Sequence, residues 1–466
     1  MHHVDYAIIL VYLVLLLSLG LIGRLKRGSS PGELILGGRV LTLPAFVASL
    51  VSTWYGGILG VGEYSYNYGL SNWLVFCLPY YLAALLFALF LARKARQAKV
   101  LTIPERLAQA YDSRTALVGG VIIFLMTVPG AYILMLGVLC RFLFGWPMWL
   151  GILSGTLFSV VYVFVGGFKS VVRTDIFQFS LMFLGFAILL GVLNVEYGGF
   201  EFLSEHIPST HLTWHGGNSG WYIAVWYVIA LATLVEPAFY QRCYAAKNTS
   251  VARKGIFISI ACWAVFDFLT TSCGLYARAI LPDLSDAVGS YPALALEVLP
   301  VGLLGLFALA LLATVMSTVD SYSFLAASTF GNDIIPRVSS VPESRVTTLT
   351  RYGLVLSTVL AVGTALFFRS VVDIWHAFGS IGTPALLVPV FFSFVGRRRL
   401  APRMALASII SCGLISSVWY LSRFFQGDGS YWLGIEPIFP GLAWSILLFA
   451  IFSRRTNPRA LPDGQA

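Results

Sequence analysis

Apolar runs of membrane-spanning length follow one another along almost the whole chain, at about residues 5–23, 42–69, 71–93, 115–142, 147–165, 167–195, 219–241, 251–281, 301–331, 346–368, 371–396, 402–424 and 432–453. A bilayer core offers peptide groups no water, so a backbone crossing it in single runs must close its own hydrogen bonds, as helices. Hydrophobic residues make up 58% and charged residues 11% of the 466, and mean hydropathy is +0.83. A soluble domain carries about 25% charge. The chain reads as an all-α polytopic membrane protein with about 13 transmembrane helices. Several runs exceed about 25 residues, which implies tilt, kinks or unwinding.

The net charge of +9 follows topology. With the N-terminus outside and thirteen crossings, 26 of the 30 basic residues fall in odd-numbered loops and the tail, leaving Arg141, Arg278, Arg369 and Arg423. That bias orients the chain with its C-terminus in the cytoplasm of a cell (inner or plasma) membrane. It also removes the case for a nucleic-acid partner. Arg242 counts here as a cytoplasmic loop residue, and no arginine is expected near the membrane midplane. The six cysteines show no metal spacing and read as packing residues. His206, His211 and His215 read as parts of a solvated outer loop.

Function is concentrated where polar residues interrupt this pattern. In the ninth run Thr314, Ser317, Thr318 and Ser321 recur at i, i+3, i+4 and i+7, so their oxygens share one helix face with Asp320 beside it. Hydroxyl, carbonyl and carboxylate oxygens are the ligands that a dehydrated Na⁺ requires, and an ionisable group at that depth marks a functional path. The second run holds Gly56, Gly57, Gly60 and Gly62 within seven residues. The seventh is broken by Pro237 after Glu236. Both interruptions suit helices that unwind around a ligand at the midplane. Runs two to six and seven to eleven each make five crossings, so a repeat between them must be inverted.

Four motifs give a family resemblance: Leu101-Thr102-Ile103-Pro104-Glu105, the stretch from Gly166 to Gln178, that from Glu236 to Lys247, and Ser317-Thr318-Val319-Asp320-Ser321. In that order and spacing the chain resembles the sodium:solute symporter family. The resemblance implies a leucine-transporter-type fold, a 5+5 inverted repeat with flanking helices. The corresponding division is 1–41 for a flanking helix and loop, 42–195 and 219–396 for the two repeats, 196–218 for an outer loop, 397–453 for two more flanking helices and 454–466 for a disordered tail. It also implies a sodium site from Leu50 and Thr53 of the second run with Thr314, Ser317 and Thr318 of the ninth. A second site, or an exit path, would draw on Asp175, Asp320 and Ser321 together with Thr318. Beside the interruptions, Trp54, Tyr55, Gly57, Glu63, Tyr132, Thr233, Glu236 and Trp375 are the expected solute contacts.

The expected activity is symport of a small polar organic solute with Na⁺ as coupling ion, by alternating access in the lipid bilayer and without an organic cofactor. A proton-coupled carrier of the same fold is the alternative, with a transporter-like sensor or channel behind it. No nucleophile–base pair or metal motif marks an enzyme.

Overall fold

The computed structural model describes residues 1–22, 30–368, 371–427 and 429–455, with side chains 372 and 373 left out. Arg24, Lys26, Arg27, Arg369, Arg459 and the tail from residue 456 onward lie outside the described residues. The helices that build the membrane domain are α1 (His3–Leu21), α2 (Leu43–Trp54), α3 (Ile58–Tyr68), α4 (Leu78–Phe90), α5 (Ser113–Thr127), α6 (Gly130–Phe144) and α7 (Met148–Tyr197). After them come α8 (Gly220–Ile229), α9 (Pro237–Ala245), α10 (Thr249–Ile280), α11 (Leu303–Ser328), α12 (Val346–Phe367), α13 (Val371–Phe394), α14 (Pro402–Leu421) and α15 (Ile438–Phe452).

Among the described residues, eleven helices are long and apolar enough to cross a membrane, against the thirteen runs in the sequence. The difference has two sources. Helix α15 is apolar but only 15 residues long. Helix α7 unites two of the runs in one 50-residue element with a non-helical Gly167, φ 59° and ψ −153°. The chain reverses there. Tyr162 hydrogen-bonds Asp320, and Asp175 accepts from Ser317, one turn away on the same helix. In a straight helix residues 162 and 175 would stand about 20 Å apart. A left-handed φ is open to glycine at little steric cost, which is what the turn needs.

The loops sort into two ends. At one end, the Arg39 guanidinium donates to the Lys99 carbonyl at 2.8 Å, and Lys247 N–H donates to the Leu41 carbonyl at 2.9 Å. At that end too, Arg398–Arg399 pairs antiparallel with Arg454–Arg455. At the other end, Leu70 N–H donates to the His211 carbonyl at 2.8 Å, and Gly302 N–H donates to Asp5 Oδ1 at 2.7 Å. The basic loops thus gather on one face, as the alternation of crossings requires. His211 departs from the solvated-loop reading: it is buried, with Nε2 3.0 Å from the Tyr66 carbonyl, and burial lowers its pKa. The Thr102-capped segment forms the helix Ile103–Ala110, tied down by Thr102 Oγ1 donating to Asp333 Oδ1 at 2.7 Å.

Helix α11 is the axis of the molecule. Every residue from Phe307 to Ser328 is buried, so its polar stripe faces protein on all sides. It packs on α7, α12, α1 and α6. The interrupted segments α2–α3 and α8–α9 lie against or near that stripe.

Candidate functional site

The first interruption falls between α2 and α3, where Tyr55–Gly57 form a single 3₁₀ turn. Its glycines are set by close approach. A Cβ on Gly56 would lie 2.3 Å from Thr318 Oγ1, and one on Gly57 would lie 2.5 Å from the Trp375 ring. Only a bare backbone lets the turn sit against α11. Across that contact Thr318 Oγ1 donates to the Thr53 carbonyl at 2.7 Å, with the Ser52 carbonyl at 3.5 Å. Leu50 is fully buried on the same helix, and Thr314 Oγ1 donates to the Ala310 carbonyl at 2.8 Å. Neutral oxygens from two helices therefore meet at Thr318 Oγ1, a donor set of the kind Na⁺ takes, while Thr314 bonds within its own helix and Ser317 turns to Asp175.

On the neighbouring residues Ser317 and Ser321 of α11 the chemistry changes. Asp175 accepts from Ser317 Oγ through Oδ1 and from Ser49 Oγ through Oδ2, both at 2.6 Å. Arg242 of α9 reaches into the same space, fully buried, with Nη2 3.4 Å from Asp175 Oδ2. That nitrogen also donates to Thr53 Oγ1 at 2.8 Å and Ser321 Oγ at 2.7 Å, while Nε donates to Ser49 Oγ at 3.1 Å and Nη1 to Gln241 Oε1 at 3.1 Å. The Phe168 ring, next to the Gly167 turn, lies 5.6 Å below the guanidinium. An arginine expected in a loop thus sits inside the core. Its position comes from the break at Glu236 (φ −67°, ψ 114°), whose carboxylate caps α9 by accepting from Ala238 N–H at 3.3 Å. The nine-residue half-helix beyond the break is buried throughout.

This arrangement does not bring the three second-site residues together. Asp175 and Ser321 share the guanidinium, whereas Asp320 turns to Tyr162 and leaves Oδ1 without a partner. Among the described residues no hydrogen bond joins Asp320 to Asp175, Thr318 or Ser321.

Beside the 3₁₀ turn lies a cavity of about 240 Å³, which Arg242 does not line. Six of the eight expected solute contacts line it: Trp54, Tyr55, Gly57, Tyr132, Glu236 and Trp375. Glu63 and Thr233 do not; Thr233 is buried beside the lining residue Ala232, and Glu63 lies on α3 beyond the glycines. The wall contains further residues that sequence reasoning passed over, chiefly Tyr80, Tyr81, Trp263, Asp267 and Tyr322. Asp267 is the informative one: Tyr55 and Tyr81 each hydrogen-bond one of its carboxylate oxygens. A lone acid in the 32-residue apolar α10 was a legible signal, by the same argument that singled out Asp320.

Two interrupted helices around a central polar one, in a bundle whose described basic loops gather mainly at one end, define a polytopic secondary transporter. The particular family comes from comparison: the profile of the sodium:solute symporter family matches residues 34–412, and the chain belongs to that family. It is 25% identical over 471 aligned positions to the sodium/pantothenate symporter of Escherichia coli, covering 96% of this chain and 95% of that one. It is 24% identical to the mouse solute carrier family 5 member 4B, covering 91% of this chain and 73% of that one. Among solved structures, a Na⁺-coupled sialic acid symporter in its substrate-bound outward-open state superposes with a TM-score of 0.79, at 17% identity and over 97% and 99% of the two chains. The fold is of the leucine-transporter type, and the protein is a multi-pass membrane protein.

Proposed function

We propose that this chain couples the uptake of a small organic solute to Na⁺, with the ion held by the Leu50, Thr53 and Thr314 carbonyls and the Ser317 and Thr318 hydroxyls. The observation that carries the reading is the 2.7 Å contact between Thr318 Oγ1 and the Thr53 carbonyl. It joins the central helix to the interrupted one immediately beside the cavity, so an ion replacing that contact would bear on both. Na⁺ as cargo would draw α2 and α11 together and favour the state whose cavity accepts solute, since an ion shifts an equilibrium only by binding one state better. Coupling is reciprocal: solute tightens Na⁺ as much as Na⁺ tightens solute. Rocking of one five-helix unit against the other would then carry both across.

The test uses purified full-length protein. Replacing K⁺ by Na⁺ should raise the melting temperature of the parent and leave the Ser317→Ala/Thr318→Ala double variant unmoved. An undiminished Na⁺ shift in the double variant would overturn the site. A second reading, proton coupling, is favoured by one observation: Asp320 is fully buried with one carboxylate oxygen unpartnered. Transport that tracks pH and ignores Na⁺ would select it.

A further inference from the structure

We infer that the solute is a small organic cation with an alkylated ammonium head, held between aromatic faces under the field of Glu236 and Asp267. The inference rests on the symport reading and names its solute class.

Ten of the 22 residues lining the cavity are Phe, Tyr or Trp, two are carboxylic acids and none is Lys or Arg. The rings converge from separate helices. Trp54 stands 5.7 Å from both Tyr80 and Trp263, and Tyr132 stands 5.2 Å from Tyr322 and 6.1 Å from Trp375. Faces of this kind attract a cation through the ring quadrupole, most strongly where water is excluded. Two phenol groups on the two oxygens of Asp267 are the partners of an ionised carboxylate, which can only accept. Arg242 is engaged by Asp175, and the wall itself carries two acids and no Lys or Arg.

The same details separate the solute classes. An anion would meet two acids and neither Lys nor Arg in the wall, where His376 is the one basic side chain and its Nδ1 already faces Glu436 at 3.7 Å. A sugar needs many paired donors and acceptors, yet no Asn or Gln lines the cavity. A methylated ammonium asks for no hydrogen bond and takes its stabilisation from ring faces and field. About 240 Å³ suits a head of that kind with a short polar tail.

The experiment is a thermal-shift panel on purified full-length protein, in Na⁺ and in K⁺. The probes are choline and tetramethylammonium as cations, pantothenate and N-acetylneuraminate as anions, and glucose as a neutral. The expected result is stabilisation by the cations alone, and more strongly in Na⁺. Glu236→Gln retains the oxygen that caps α9 and should weaken the cations about tenfold or more, with the Na⁺ shift intact. Asp267→Asn should act in the same direction. Stabilisation by an anion or by glucose, or by none of the cations, would overturn the class while leaving a Na⁺ shift to support symport. Equal cation shifts in Na⁺ and K⁺ would keep the class and overturn the coupling on which the proposed function rests.

Discussion

Two charged regions share helices α2, α9 and α11, and they are built on opposite terms. Around Arg242, every side-chain polar atom of Asp175, Ser49, Thr53, Ser317 and Ser321 has a protein partner. Around the cavity, ten aromatic rings and two acids surround an open space of about 240 Å³, with no Lys or Arg in the wall. A cluster whose side-chain oxygens are all engaged resists opening and takes a ligand only by giving up one of those bonds, as Ser317 would for Na⁺, whereas the cavity has open space to fill. The first region therefore reads as a plug between the Thr318–Thr53 contact and the basic end of the bundle, and the second as the place of recognition.

The largest expected effect breaks the saturated side. Arg242→Met leaves Asp175 as a buried charge without its partner, and removing one member of a buried pair costs about 3–5 kcal/mol. The variant should melt far below the parent. Adding Asp175→Asn removes the orphaned charge and should restore most of the loss. A single variant that melts with the parent would mean that Asp175 is not ionised against Arg242, and the plug would lose its basis.

Next in size is the contact joining the two regions. Gly56→Ala places a methyl 2.3 Å from Thr318 Oγ1, while a Cβ on Gly60 finds the Trp375 ring at an ordinary 3.5 Å. Overpacking of the first kind costs about 1–3 kcal/mol. Gly56→Ala should lower the melting temperature and abolish the Na⁺ shift, and Gly60→Ala should retain both. Equal behaviour of the two would show that the four glycines serve flexibility in general and not one close approach.

Much of this was legible in the residues. The stripe on α11 and the two interruptions come from periodicity and from Gly and Pro chemistry, and the interruptions led to Trp54, Tyr55, Gly57 and Glu236 of the cavity wall. Arg242 escaped because Gln241-Arg242-Cys243-Tyr244 reads as the polar end of a span. Only the break at Glu236 makes that end a separate buried half-helix, and a break fixes no direction for the chain beyond it. Asp267 escaped for another reason, since its signal was present but Trp263 and Phe266 beside it looked like ordinary apolar packing. The reversal at Gly167 marks a boundary in the sequence, yet its left-handed φ joins two runs into one element.

The smallest effect sharpens the comparison through the same pair of groups placed in water. Arg141 Nη2 and Asp286 Oδ2 are 3.0 Å apart, closer than Arg242 and Asp175 at 3.4 Å, but their side chains are 47% and 44% exposed against 0% for the buried pair. Distance alone would rank the surface pair first. Solvent screening and the entropy of two long side chains reverse the order, and exposed pairs contribute about 0–1 kcal/mol. Arg141→Ala should therefore leave the melting temperature nearly unchanged, with the remaining difference vanishing in high salt. A loss as large as that of Arg242→Met would mean that the loop carrying Asp286 is held by charge, and that burial is not what separates the two pairs.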